Sequence, residues 1–303
     1  MSSPLIAGLR SVSLIMPDLQ AAERFYTEVW RLRVVARTAD TIYLRGTGTD
    51  HHLLSLSAAA SEQAAPQIRH VTLRAHSLAA LDEIASATLA AGGTVIAPVS
   101  PSIDPSGGIS LTIADPAGRI FEIVHGDHQH SDNEQEKDSP IRLAHTVLNS
   151  DNVASAQPFF EQALGFRLID RTVIMAFLNC NNDHHSIALG ISDNNALNHI
   201  AFVMPSVDSV MRGGGRMRDA GHAIEWGPGR HGPGNNTFNY FIDPFGVVIE
   251  YTADVEQVDN TYKVRMPEDW KWPPGRVDQW GISQPPSARL KQAQKEVAFA
   301  PIH

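Results

Sequence analysis

His145, His199 and Glu250 are the residues of this chain best suited to chemistry, because an internal repeat gives each of them a counterpart. Asp115-Pro116-Ala117-Gly118 leads to Glu122 within Arg119-Ile120-Phe121-Glu122-Ile123, and Asp243-Pro244-Phe245-Gly246 leads to Glu250 within Val247-Val248-Ile249-Glu250-Tyr251. Each glutamate follows its aspartate by seven residues and ends an apolar run after a turn. His70-Val71-Thr72-Leu73 and His199-Ile200-Ala201-Phe202 precede those glutamates by 52 and 51 residues. His145-Thr146-Val147-Leu148 lies 14 residues before Phe159-Phe160, and Ser11-Val12-Ser13-Leu14 lies 14 residues before Phe25-Tyr26. The second half therefore carries His145, His199 and Glu250, where the first carries Ser11, His70 and Glu122. Two imidazoles and one carboxylate on one face suffice for a metal and leave its other positions open, the donor set of non-haem Fe(II) oxygenases. With serine in one place, His70 and Glu122 are too few for a tight site and are read as structural.

The elements that must position these residues repeat as well. His145 and His199 each begin a β-like run and Glu250 lies late in one, so all three can sit on adjacent strands of one curved sheet. The rhythm is a module of roughly 50–60 residues, the kind of period that marks a structural repeat. A β-like run (10–16, 141–148) is followed by a helical stretch (18–30, 151–164) and then by further strand-like runs (172–178, 186–191). In the second helix Val153, Phe159, Phe160 and Leu164 recur at helical spacing, with Asp151 as N-cap and Gly165 as stop. The last module has a run at 198–204, a helix at 206–220 ended by Gly221, and strands near Ala223, Phe238 and Val247. The ten residues 227–236 hold four glycines and two prolines and read as a loop, since they lack the ending of a phosphate cradle.

The predicted class is α+β, with four βαβββ modules paired into two tandem domains. The polar, aperiodic stretch from Asp127 to Pro140 reads as a solvated linker, its histidines included. The expected division is residues 1–126, linker 127–140, residues 141–253, and a tail over 254–303. That tail matches no module; it carries Trp270, Trp272, Trp280 and five prolines from Pro267 to Pro286. It is expected to lie over the second domain or a partner subunit.

Composition sets limits. The 303 residues, 43% of them apolar, suffice for two domains with their own cores. A net charge of −9 without a basic block argues against nucleic acid. The single cysteine excludes an internal disulfide framework and fits a reducing cytoplasm. Residues 1–8 lack the features of a signal peptide, and no apolar run approaches a membrane span. Cys180 has no third group to orient a thiol nucleophile and is read as a small apolar residue.

The chain resembles the vicinal oxygen chelate superfamily, and within it the two-domain type I extradiol dioxygenases, of catechol or 2,3-dihydroxybiphenyl type. The resemblance rests on the paired modules, on His145, His199 and Glu250, and on Phe177-Leu178-Asn179-Cys180-Asn181-Asn182-Asp183-His184-His185-Ser186-Ile187-Ala188-Leu189. Gly229-Arg230-His231 and Tyr240 stand 19 residues (His231) and 10 residues (Tyr240) before Glu250, as in that family. It implies two tandem glyoxalase/extradiol-dioxygenase-like domains, of which only the C-terminal one keeps its metal, Fe(II) rather than Mn(II).

It further implies that His185 is the acid/base, that His231 lines the site, and that Tyr240 bonds a ligated oxygen of the substrate. Its neighbour His184 is expected on the opposite face of a regular strand. Phe177 and Val147 would flank an aromatic ring, and their apolar character favours a bicyclic or biaryl diol. Fe(II) with one carboxylate retains one positive charge, which a singly deprotonated diol can neutralise. The implied activity is ring cleavage of an aromatic vicinal diol by O₂, in a cytoplasmic homo-oligomer with no nucleic-acid or membrane partner. The alternatives are a metal-dependent isomerase and a drug-binding protein of the same superfamily.

Overall fold

The computed structural model describes residues 5–131 and 136–302, so positions 1–4 of the N-terminal stretch, 132–135 of the polar segment and residue 303 lie outside the described residues. Each half of the chain builds one eight-stranded mixed sheet. The first comprises β1 (Ile6–Met16), β2 (Arg33–Arg37), β3 (Thr41–Arg45), β4 (Leu54–Ala58), β5 (Gln67–Ala75), β6 (Thr94–Pro101), β7 (Ile109–Ala114) and β8 (Ile120–His125). Their order is β2-β3-β4-β1-β5-β8-β7-β6. The second comprises β9 (Arg142–Ser150), β10 (Arg167–Arg171), β11 (Met175–Asn179), β12 (Ile187–Ile191), β13 (Leu197–Val203), β14 (Trp226–Arg230), β15 (Thr237–Ile242) and β16 (Val248–Ala253). Its order, β10-β11-β12-β9-β13-β16-β15-β14, repeats the first strand for strand.

One helix serves each module: α1 (Leu19–Arg24, continued by a π turn, Phe25–Val29), α2 (Leu78–Ala90), α3 (Val153–Ala163) and α4 (Val207–Asp219). This is the predicted α+β class with four βαβββ units. The cap of α3 is Asn152, whose side chain accepts from Ser155 N–H, and not the expected Asp151. Gly165 and Gly221 do end their helices, at φ +70° and +87°, in the left-handed region where glycine is unstrained.

Strand alternation separates core from site. Ile200, Phe202, Phe241, Ile249 and Tyr251 belong to the main apolar core, while His199, Ala201, Tyr240 and Glu250 alternate with them and point to the opposite face. The core runs through both halves. Trp30, at the end of the first helix, stacks on Tyr251 with ring centroids 3.6 Å apart, and Tyr26 Oη donates to Asp243 at 2.9 Å.

Two expectations change. The stretch expected as a loop at 227–236 begins as the edge strand β14, because Gly229 pairs with Phe238 and Arg230 with Thr237. The tail also takes part in both sheets: Val297 bridges to Leu197 and Phe299 to Ile68, after a short helix α5 (Ala288–Ala293). Among the described residues no helix is long and apolar enough to cross a membrane.

Candidate metal centre and active site

Strand register brings the predicted residues together. On β13, Ala201 stands opposite His145 of β9 on one side and Glu250 of β16 on the other, and Tyr240 of β15 stands opposite Glu250. His199 and Ala201 share a face, as do His145 and Val147, by the two-residue period of a strand. Ala201 places only a methyl group between the larger side chains of His145 and Glu250. His145 Nε2 and His199 Nε2 approach the same oxygen, Glu250 Oε2, at 3.2 and 3.3 Å. Their ligand atoms lie within 4.8 Å of one another, and all three residues are buried.

The donor chemistry fits a divalent cation. Asn198 Oδ1 lies 2.7 Å from His199 Nδ1 and can only accept, so the ring hydrogen is on Nδ1 and Nε2 is bare. A bare nitrogen facing a carboxylate oxygen is a convergence of lone pairs, which a cation between them relieves. Burial lowers the pKa of His199 to about 4 against the opposing pull of Glu250. Burial acts to raise Glu250, but the imidazoles of His145, His199 and His231 grouped around it outweigh burial and hold the carboxyl well below its usual range. A carboxylate held ionised beside the neutral His199 gives the cluster a negative charge for a cation to balance. Asn236 Nδ2 donates to the other oxygen, Oε1, at 3.3 Å and to Thr252 Oγ1 at 2.7 Å, orienting the carboxylate.

The remaining predicted residues surround this cluster. His185 packs against His145 with ring centroids 4.2 Å apart, and burial, reinforced by His145 and His184, pushes its pKa well below the usual imidazole range. Tyr240 Oη lies 3.0 Å from His231 Nε2 and 3.4 Å from His199 Nε2. Burial, then Glu250, raises its pKa well above the ordinary phenol value, so it keeps its proton as a donor. Phe177 meets His185 edge-on at 5.0 Å. Val147, Ile169, Phe177, Ala188 and Val258 form an apolar cluster of their own beside the site. The Gly232–Gly234 turn closes in from the tail side: a Cβ on Gly234 would sit 3.1 Å from His185, and one on Gly232 2.6 Å from Trp272.

The expectation for His184 is corrected. His184 and His185 precede β12 instead of lying on it, so strand alternation does not apply, and both are buried. His184 lies behind His185, with the two Nδ1 atoms 3.0 Å apart. Burial pushes the Cys180 thiol up to about 12, leaving it unreactive at neutral pH. Asn198, Asn236 and Asp170 were not found from sequence. Each is an ordinary polar residue whose importance comes only from its neighbours in space. A groove of about 1140 Å³ lined by residues such as Glu83, Glu161, Arg167 and Asn181 contains none of His145, His199 and Glu250.

The first half holds a different group. His70 Nε2 lies 3.5 Å from Glu122, and Ser11 stands opposite Thr72 as His145 stands opposite Ala201. His51, His52 and Asp104 also come within ligand distance of one another, a cluster that the repeat did not predict.

Residues 8–123 and 142–251 both match the model of the glyoxalase/bleomycin resistance protein/dioxygenase superfamily. The chain belongs to that superfamily. The Mn(II)-bound glyoxalase from Novosphingobium aromaticivorans is similar to it at 34% identity and a TM-score of 0.86, covering 95% of this chain and 94% of that one. Metapyrocatechase 2 of Cupriavidus necator is 36% identical over 155 residues, and the match spans about half of each protein, 48% of this chain and 46% of the relative. A manganese-dependent 2,3-dihydroxybiphenyl 1,2-dioxygenase from Geobacillus genomosp. 3 is 26% identical across 79% of this chain and 82% of its own length. The superfamily member described here is thus similar to two proteins with manganese in their names, and its second half groups His145, His199 and Glu250 at distances that could hold a metal ion.

Proposed function

We propose that this protein is an extradiol dioxygenase that opens an aromatic vicinal diol with both atoms of O₂. The observation that carries the reading is the buried convergence of His145, His199 and Glu250 beside a neutral His185 and a protonated Tyr240. The relatives named as a dihydroxybiphenyl dioxygenase and a metapyrocatechase support it. His145, His199 and Glu250 hold the metal, Fe(II) in our reading, with Mn(II) as the competing ion. A divalent ion held there would supply Lewis acidity toward the diol and O₂.

The chain's own residues do the rest. His185, neutral at physiological pH, takes the proton of a diol hydroxyl and returns it to an oxygen as the ring opens. Tyr240 keeps its proton and donates to a substrate oxygen, while His231, 3.0 Å from the phenol oxygen, orients it. Phe177 and Val147 form an apolar wall against the ring, which favours bicyclic and biaryl diols. Residues 141–253 form the catalytic domain, residues 1–126 a domain without the triad, 127–140 the linker and 254–303 the tail. A cytoplasmic homo-oligomer completes the proposal.

Oxygen uptake by anaerobically purified protein loaded with Fe(II) or Mn(II) tests it, across catechol, methylcatechols, dihydroxynaphthalene and dihydroxybiphenyl. Uptake with a yellow ring-opened product, strongest for the larger diols, is expected. Uptake only with small catechols would keep the chemistry and remove the pocket assignment. Absence of uptake with any diol despite bound metal would transfer the weight to an isomerase, the reading that the glyoxalase neighbour favours.

A further inference from the structure

A polar chain leads away from the metal cluster into the interior of the second half. Asp170 on β10 is fully buried, and its Oδ2 lies 2.9 Å from His184 Nε2 and accepts from Tyr262 Oη at 3.1 Å. The Arg265 backbone N–H donates to Oδ1 at 2.9 Å, and the Arg265 guanidinium lies 3.1 Å from Oδ2. Both anchors come from the tail that follows β16, and Arg265 bridges to Asp170 as a strand would. His184 Nδ1 then lies 3.0 Å from His185 Nδ1, and the ring of His185 lies against His145. Every partner of the Asp170 carboxylate is a donor.

Hydrogen-bond bookkeeping along this chain has one solution for two neutral rings. The carboxylate accepts, so His184 Nε2 carries a hydrogen. The Nδ1 of a neutral His184 is then bare, and a bond between two ring nitrogens needs one hydrogen, so His185 Nδ1 carries it. His185 Nε2 is left with a free lone pair. We infer that Asp170 and His184 are positioning residues that hold His185 in the Nδ1–H tautomer, with Nε2 free to accept the proton of the substrate hydroxyl. The inference rests on the reading of His185 as the acid/base group.

The first half supplies an internal control. His51 and His52 precede β4 as His184 and His185 precede β12, and their Nδ1 atoms are likewise 3.0 Å apart. Tyr43 meets His52 edge-on at 4.9 Å, as Phe177 meets His185. The residue opposite Tyr43 is Ala36, whereas the residue opposite Phe177 is Asp170. The histidine pair therefore persists in both halves but is held from opposite ends: Asp170 lies on Nε2 of the outer ring, His184, whereas in the first half Arg10 and Asp104 lie on Nε2 of the inner ring, His52, at 2.5 and 3.6 Å.

The test is the tautomer itself, read from imidazole ¹⁵N spectra of the full-length chain loaded with diamagnetic Zn(II), with His185→Gln assigning the signals. The wild-type protein is expected to carry the His185 hydrogen on Nδ1. In Asp170→Asn and His184→Phe that preference should be lost, while His184→Gln, whose amide oxygen can accept from Nδ1–H, should retain it. With Fe(II) or Mn(II) and an active diol, His184→Phe should lower kcat about 10- to 100-fold with KM nearly unchanged, and His184→Gln should recover most of the loss. A wild-type hydrogen on Nε2, or a tautomer indifferent to all three substitutions, overturns the inference. The spectra need no turnover, so a failure of the dioxygenase reading leaves this result distinct.

Discussion

The two halves share a strand order and differ at the residues that face one another across their central strands. In the second half the row reads His145, Ala201, Glu250; in the first it reads Ser11, Thr72, Glu122. Thr72 Oγ1 donates to Glu122 at 3.3 Å, occupying the carboxylate that in the other half faces two imidazoles. A positive charge is present nonetheless. Arg10, buried to 1% exposure, donates to Ser11 Oγ at 2.8 Å, to His52 Nε2 at 2.5 Å, to Asp127 at 3.3 Å, to Asp104 at 3.3 Å and to Ser106. The cluster of His51, His52 and Asp104 therefore already holds a covalently attached cation. One fold thus satisfies a buried set of acceptors in two ways, with a guanidinium in one half and donors poised for an ion in the other.

This contrast can be broken in order of expected effect. Glu250→Ala should lower both retained metal and O₂ uptake more than about 100-fold, whereas Glu122→Ala should change uptake by no more than about twofold; metal analysis and an oxygen electrode read both. Equal losses would mean that the halves are not divided as proposed. Next, Arg10→Ala should destabilise the protein by about 3–5 kcal/mol in denaturant titration, because it strands buried carboxylates that the guanidinium satisfied. Bound metal per chain should stay the same. Stability unchanged by that substitution would remove the idea of a built-in cation.

A smaller, constructive change is Ser11→His. Alone it should add no second metal ion, since Thr72 occupies Glu122 and the Arg10 guanidinium lies against position 11. Combined with Thr72→Ala and Arg10→Ala it should raise metal content from one ion per chain towards two by mass spectrometry. The smallest effect concerns acid. Burial, then Arg10, lowers the pKa of the buried His51 to about 4, with Asp104 opposing and His130 and His128 adding to the shift. A histidine held neutral in the folded state contributes stability above its unfolded pKa near 6.5, and that stability is lost as pH falls towards 4. Replacing His51 with Gln should make the stability profile shallower by about one proton between those values, as denaturation at several pH values would reveal.

Sequence alone went far because the molecule is a repeat. A two-residue period and a module that recurs predict which side chains share a face, and the triad of His145, His199 and Glu250 converges for that reason. The same logic misjudged residues whose role is not periodic. The glycines at 227–236 resemble a flexible loop in composition, but Gly229 is needed because a Cβ there would meet the Phe238 ring at 2.5 Å on an edge strand. His184 escaped because it lies in a turn, where strand alternation has no force. Asp170 sits in a short, polar β10 that carries little apolar pattern, and nothing local marks it as a partner of His184 fourteen residues away.

The sequence by itself determined the class of fold, the four modules and the convergence of His145, His199 and Glu250, since all of these follow from patterns carried by backbone periodicity. Tertiary structure alone decided which groups neutralise buried charge. Arg10 reaches Asp127 across 117 residues, and Arg265 reaches Asp170 across 95. Such pairs are chosen by desolvation: a buried charge must find its partner wherever the chain passes close, and that proximity leaves no local signature in the sequence.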